Sequence, residues 1–199
     1  PKPVQQPHPP VYMATISPES FELAAKNGWG LQMASPFTYR TYRETWVEEL
    51  SKSCKRYDEL TRKAGHDPQK ANKMILLPFF CHEAGKQAQA IYRTHVEWFY
   101  NKVTANQLSQ KSAGPVKGYE LTMTEGARTR ELGYLGFDKL HQYGAAIADD
   151  PETCIRKLKE MKAKFGVTEF GLWFNIGGIA PEHVERSMRL TAEKVMPFV

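Results

Sequence analysis

Strand-length apolar runs alternate with longer helical patterns along this chain, and this alternation limits the folds that it can adopt. The runs at residues 11–16, 29–34, 73–81 and 168–174 have the length and composition of buried strands. Helical spacing of apolar residues follows at residues 21–28, 41–64, 83–103, 151–165 and 181–195. Strands separated by helices predict an α/β fold with a parallel sheet and right-handed crossovers.

Four strand–helix units are half of a (β/α)8 barrel, which needs about 250 residues. The 199 residues here allow one domain, and a four-stranded sheet of this kind would have two open edges. The chain does not begin with Met, and its proline-rich residues 1–10 are typical of an extended linker. We therefore expect a preceding half-barrel to complete the sheet.

The turn Ser17-Pro18-Glu19-Ser20 lies between the first strand and the first helix. Hydroxyl groups and unpaired backbone N–H groups meet there at the positive end of the helix dipole, which favours a phosphate. The alternative is an ordinary capping sequence with Pro at the first helical position. Taken alone, the turn favours capping, because caps are far commoner than phosphate sites.

Composition excludes several classes of protein. The net charge of +5 is mild and no basic block stands out, so no nucleic-acid partner is expected. No signal peptide and no apolar run of about 20 residues is present, so no membrane span is expected either. Cys54, Cys81 and Cys154 are far apart, which predicts reduced thiols in a cytoplasmic protein. The histidines lack metal-ligand spacing, so no metal site is predicted.

Seven short motifs occur in order along essentially the whole chain. They are PHPPVY at 7–12, SPES at 17–20, AAKNG at 24–28, LTRKAGHDP at 60–68, WFNIGG at 173–178, RSMRL at 186–190 and VMPF at 195–198. This ordered set resembles the bacterial-luciferase-like family of flavin-dependent monooxygenases. The resemblance is to the C-terminal half of that family, from its fifth strand to its eighth.

The resemblance implies a TIM-like barrel of the luciferase type, to which residues 1–199 contribute the C-terminal four βα units. It implies reduced FMN at the carboxyl ends of the strands, with O2 and an organic small molecule as the other substrates. A separate reductase supplies the reduced flavin, and coenzyme F420 replaces FMN in some relatives, although FMN is expected here. The N-terminal half of the barrel and a second copy of the protein, as a dimer, are the further expected partners.

Carried over to this chain, the resemblance places the flavin phosphate on Ser17 and Ser20, with a backbone N–H from Glu19. It reverses the preference for simple capping. Thr15, at the strand end, is expected to border the isoalloxazine ring. The family's principal catalytic histidine belongs to the absent half, so the catalytic residues are unknown.

A substrate pocket is expected at the same ends of the strands. Ser35 and Phe37 follow the second strand, and Trp173 and Asn175 end the fourth. The alternatives are turn residues for the first two and core packing for the aromatics. Residues 104–136 match the position of the family's long mobile loop, which would cover the mouth of the active site.

Two other functions stay open on the sequence. A half-barrel alone is consistent with a non-catalytic flavin-binding or structural protein. A phosphate site in a barrel is also consistent with a different enzyme, such as an isomerase or an aldolase.

Overall fold

A computed structural model describes residues 4–103 and 135–199 of the chain. This part contains five strands: β1 (Tyr12–Ala14), β2 (Gly30–Ala34), β3 (Lys73–Cys81), β4 (Ile147–Asp149) and β5 (Glu169–Trp173). Its α-helices are α1 (Pro18–Asn27), α2 (Ser35–Tyr42), α3 (Trp46–Lys63), α4 (Gly85–Trp98), α5 (Phe137–Gln142), α6 (Pro151–Phe165) and α7 (Pro181–Lys194). Short 3-10 helices span Arg43–Thr45 and Met196–Phe198, and a π-helix spans Phe99–Val103.

All strand pairs are parallel, which confirms the predicted α/β class. β1 pairs with β2, and β2 pairs with the first half of β3. β5 pairs with β3 from Met74 to Pro78, and β4 pairs with the last three residues of β3. The carboxyl ends of all five strands therefore point the same way, toward one end of the sheet.

One face of the sheet is packed against helices. Leu31, Met33, Ile75 and Leu77 on this face are completely buried. Lys73 forms an ion pair with Asp58 of α3 at 2.6 Å on the same side. This face supplies the central part of the hydrophobic core.

The opposite face is open in the described part of the chain. Ala14 and Gln32 are exposed, and Met74 and Glu169 are half-buried, although their register places them side by side in mid-sheet. Parallel sheets are normally covered on both faces. The described residues therefore leave one face of a parallel sheet without its covering layer.

The strand count is a correction to the sequence analysis, which predicted four strands and missed β4. β4 has three residues and follows Ala145-Ala146, where alanine gives little strand signal. Pairing with the end of β3 stabilises it. The four predicted strands are present, but the sheet has a fifth.

Helix boundaries differ from the predictions in two places. The second strand leads directly into α2, because Pro36 lies in the first turn, where its fixed φ suits a helix. The single helix predicted from Thr41 is interrupted at Arg43, whose φ is +51°. Asp150 caps α6 by accepting the Thr153 N–H, and its neighbour Asp149 belongs to β4.

The predicted mobile loop at residues 104–136 lies outside the described residues, apart from Leu135 and Gly136. Within the ranges 4–103 and 135–199, no helix has both the length and the apolar character needed to cross a bilayer.

Candidate anion site and aromatic wall at the carboxyl ends of the strands

The turn between β1 and α1 is closed by backbone hydrogen bonds to Ser17. Ser17 has extended backbone angles, φ −83° and ψ 151°, and precedes the first helical residue. Its carbonyl accepts the N–H groups of Ser20 and Phe21 at 3.0 and 3.4 Å. Pro18 has no N–H, so Glu19 carries the remaining donor of the first turn.

The two serine hydroxyls of this turn have different environments. The Ser20 hydroxyl donates to the Ser17 carbonyl at 2.6 Å and accepts the Ile16 N–H at 3.3 Å. The Ser17 hydroxyl makes no capping hydrogen bond to the helix. Ser20 thus holds the turn in shape, and the simple capping bond considered for Ser17 is not formed.

A negative charge already lies at this helix end. The pKa of the exposed Glu19 carboxyl is lowered because it accepts its own backbone N–H and, to a lesser degree, the Ser17 hydroxyl. A carboxylate at a helix N-terminus is stabilised by the dipole and by unpaired donors. The turn therefore holds an anionic group where a phosphate is predicted.

Thr15 lies beside this turn, directly after β1. Its backbone N–H donates to Gln32 at 3.0 Å, and its side chain is 2 % exposed. Its buried hydroxyl has no hydrogen-bond partner among the described residues. Since buried polar groups are nearly always paired, an unpaired hydroxyl beside this turn is unusual.

Ser35 is placed differently from the other predicted pocket residues. It is fully buried, and its hydroxyl donates to the Ala145 carbonyl at 2.8 Å. The bond ties the end of β2 to the segment that leads into β4. In the structure Ser35 thus anchors two elements and has no exposed surface.

Four aromatic rings at the ends of β2 and β5 form what we call the aromatic wall: Phe37, Phe99, Tyr100 and Trp173. Ring centroids are 6.1 Å apart for Phe37–Tyr100, 5.1 Å for Phe99–Tyr100 and 4.7 Å for Phe99–Trp173, all edge to face. Phe37, Phe99 and Trp173 are half-buried. Asn175 is exposed, and its carbonyl accepts the Trp173 indole N–H at 2.9 Å.

Phe99 and Tyr100 were not predicted as site residues, because the pattern at 83–103 indicates a single helix that contains them. They lie in the π-helix that follows α4, and such turns often occur at functional sites. Consecutive aromatics after a long amphipathic helix were the available signal. The contact of Phe99 with Trp173, more than 70 positions later in the sequence, has no local signature.

A second missed feature is a charged cluster at the end of β4. Asp149 accepts hydrogen bonds from His141 at 2.9 Å and from Lys157 at 2.8 Å, and its side chain is 8 % exposed. Burial by itself raises the pKa of Asp149, but these two hydrogen bonds outweigh it and hold the pKa below its ordinary value. Among the described residues, no group of three or more His, Cys, Asp or Glu side chains could hold a metal ion.

The described residues thus form a parallel α/β sheet with a helix N-terminus directly after its first strand. The family model for luciferase-like monooxygenases matches residues 1–169. The chain therefore belongs to the luciferase-like monooxygenase family.

Known relatives agree with this membership. The chain is 21% identical over 206 residues to the oxygenase component of a flavin-dependent trigonelline monooxygenase from Acinetobacter baylyi, covering 99% of this chain and 50% of that protein. This chain thus spans about half the length of the curated relative that it matches.

Solved structures give the fold. A Streptomyces bottropensis monooxygenase superposes with a TM-score of 0.65 at 21% identity, covering 99% of this chain and 50% of that one. The oxygenating constituent of 3,6-diketocamphane monooxygenase from Pseudomonas putida, in complex with FMN, gives 0.62 at 13% identity, covering 95% and 48%. An F420-dependent tetrahydromethanopterin reductase from Methanopyrus kandleri gives 0.54 at 20% identity, covering 96% and 51%. The chain has the luciferase-like fold.

Proposed function

We propose that this chain is the FMN-binding, C-terminal half of a flavin-dependent monooxygenase barrel, and that the complete protein oxygenates an organic small molecule. The observation that carries the proposal is the β1–α1 turn. It already holds an anionic carboxylate at a helix N-terminus, beside a buried hydroxyl that lacks a partner among the described residues. Family membership makes flavin the ligand to test first.

In this proposal the FMN phosphate takes the place that the Glu19 carboxylate holds. The Ser17 hydroxyl and the Glu19 N–H would donate to the phosphate oxygens, which a helix N-terminus also stabilises. Ser20 keeps the turn closed through its bond to the Ser17 carbonyl, and its hydroxyl can rotate toward the phosphate. Thr15 would offer its buried hydroxyl to the flavin further along the strand end.

Bound reduced FMN would supply the electrons for activating O2, with one oxygen atom transferred to the substrate. A separate reductase would supply the reduced flavin, since the Acinetobacter relative is named as an oxygenase component. Phe37, Trp173 and Asn175 would border the substrate, and Ser35 would hold the β2 end in place behind them. F420 is the competing cofactor, because an F420-dependent enzyme shares the fold.

The uncovered face of the sheet supports the partial-barrel part of the proposal. Exposed Ala14 and Gln32 lie where a barrel interior would be filled by side chains from further strands. The chain also spans about half of its relative. We therefore propose that an N-terminal half-barrel covers this face in the complete protein.

The full-length protein that contains this chain tests the function. It is supplied with chemically reduced FMN, with reduced F420 or with neither, under 18O2, and products from a panel of organic substrates are analysed by mass spectrometry. We expect 18O in a product only with reduced FMN. Tight FMN binding without 18O incorporation from any substrate would favour a non-catalytic flavin-binding protein instead.

A further inference from the structure

We propose that the half-buried rings of the aromatic wall, Phe37, Phe99 and Trp173, bind a planar aromatic ring of the substrate, with the buried Tyr100 packed against Phe37 and Phe99, so that the enzyme acts on aromatic compounds. This inference rests on the proposed function and adds the class of substrate to it. It depends on three properties of the wall: its position, its chemistry and the way in which it is held.

The wall lies where the substrate of a barrel enzyme would bind. Phe37 follows β2, and Trp173 is the last residue of β5, and β3 lies between these two strands. Trp173 pairs in register with Pro78 and lies two residues after Gly171. A Cβ added at Gly171 would approach the Leu76 and Met74 side chains, so Trp173 belongs to the open face of the sheet. Because β1 pairs with β2, the turn from Ser17 to Ser20 after β1 lies next to the Phe37 end of the aromatic wall.

The chemistry of the wall suits a flat, rigid ring. Its neighbouring rings meet at interplanar angles of 78°, 87° and 78°, an edge-to-face array that a further ring can extend. Such ring pairs add stabilisation beyond the area that they bury. A flexible aliphatic chain of similar size gains less and loses more conformational freedom on binding.

Hydrogen bonds hold the wall in position before any ligand arrives. The Tyr92 hydroxyl donates to the Trp173 carbonyl, and the Trp173 indole donates to the Asn175 carbonyl at 2.9 Å. The Asn101 side chain accepts the Leu135 N–H at 2.8 Å and donates to the Leu135 carbonyl at 3.2 Å, which fixes the π-helix that carries Phe99. A preorganised wall pays little ordering cost on binding.

The experiment compares two probes with the same carbon skeleton and substituents, one with a planar ring and one with a puckered ring, in the full-length protein loaded with FMN. Calorimetry measures the Kd of 4-ethylphenol and of 4-ethylcyclohexanol for wild type, Trp173→Leu and Phe99→Leu. Trp98→Leu is the matched control, because Trp98 is adjacent in sequence, 52% exposed and makes none of the ring contacts of the wall. FMN affinity is titrated separately for each variant.

We expect wild type to bind 4-ethylphenol about three- to tenfold more tightly than 4-ethylcyclohexanol. The ratio of the two Kd values should fall to near one in Trp173→Leu and in Phe99→Leu and should persist in Trp98→Leu. The FMN affinity should be unchanged in all three variants. A wild-type ratio near one, or a ratio that survives in both wall variants, would overturn the inference. A loss of FMN affinity in those variants with the ratio intact would assign the wall to the isoalloxazine ring, which also overturns it. Failure of wild type to bind FMN at all would instead reject the proposed function.

Discussion

The Tyr12 hydroxyl donates a hydrogen bond to the Glu169 carboxylate at 2.7 Å, although β1 and β5 do not pair with each other. β2 and β3 separate these two strands, and in a flat sheet their axes would lie about 14 Å apart. Asn72 completes the contact by donating to the same hydroxyl at 2.7 Å. Contact between outer strands across the open face indicates a sheet that is rolled toward that face, as in the wall of a barrel.

Removing this hydroxyl should weaken the fold. Tyr12→Phe deletes the donor to Glu169 and the acceptor of Asn72, so we expect a loss of about 1–2 kcal/mol in the free energy of unfolding. Urea unfolding of the full-length protein measures it. Tyr143→Phe is the control, since that hydroxyl has no hydrogen-bond partner among the described residues. Equal stabilities for the two variants would show that the cross-sheet contact contributes nothing.

Glu19 should compete with the flavin phosphate. Its carboxylate is exposed and lies in the first turn of α1, and hydrogen bonds to its own backbone N–H and to Ser17 lower its pKa. Glu19→Gln removes the competing charge and should tighten FMN binding about two- to fivefold, given typical charge–dipole energies. Fluorescence titration measures the Kd, and Glu22→Gln on the same helix should leave it unchanged. Weaker binding by Glu19→Gln would mean that the carboxylate supports the ligand.

Asp149 should contribute to the free energy of unfolding at neutral pH, and this contribution should be lost in acid. Its folded pKa is lowered, so its stabilisation is present above the unfolded value of about 3.9 and is lost as the pH falls through the folded pKa. Asp149→Asn should cost about 1–3 kcal/mol at pH 7, because the half-buried Lys157 loses the charge with which it is paired.

The difference between wild type and Asp149→Asn should shrink below about pH 4. Denaturant unfolding between pH 3 and pH 7 measures it. Glu160→Gln, which breaks an exposed pair with Arg156 on the same helix, should change stability by about 0.5 kcal/mol or less. A cost of Asp149→Asn that is the same at both pH values would contradict the assignment.

Replacing Gly177, in the turn after β5, should destabilise the fold more than replacing its neighbour Gly178. Gly177 and Gly178 both have positive φ, +63° and +76°. A Cβ at Gly177 would collide with the backbone carbonyl of His95, whereas one at Gly178 meets open space. Gly178→Ala should cost about 1–2 kcal/mol from backbone strain, and Gly177→Ala about 1–3 kcal/mol more from overpacking. Thermal unfolding of both variants checks the order, and equal losses would contradict the close packing of α4 on this turn.

The local sequence pattern predicted most of the strands and helices but not β4 and α2. The strand predicted at 73–81 and the helix predicted at 151–165 both have their observed bounds, as β3 and α6. β4 was not predicted because three residues in an alanine-rich stretch form a strand only through pairing with β3. α2 was not predicted because Ser35-Pro36 is equally compatible with a turn and a helix start.

In the candidate site, too, the local features could be predicted from the sequence and the long-range contacts could not. Ser17 and Ser20 could be predicted as a candidate phosphate site because a strand, a turn and a helix start are adjacent in sequence. The Glu19 carboxylate and the orphan hydroxyl of Thr15 depend on three-dimensional placement, so composition and spacing gave no sign of their state. The cluster around Asp149 joins residues from separate helices, and only the folded chain brings them together.

The most direct test of the account compares FMN with riboflavin, which lacks the phosphate, in the full-length protein. The double variant Ser17→Ala with Ser20→Ala is titrated beside wild type and beside Ser53→Ala, whose hydroxyl bonds Glu49 within α3. We predict that the double variant loses about 1–3 kcal/mol of FMN binding free energy and retains the riboflavin affinity of wild type. Ser53→Ala should keep both affinities. Unchanged FMN affinity in the double variant, or an equal loss for riboflavin, would contradict a phosphate site at this turn.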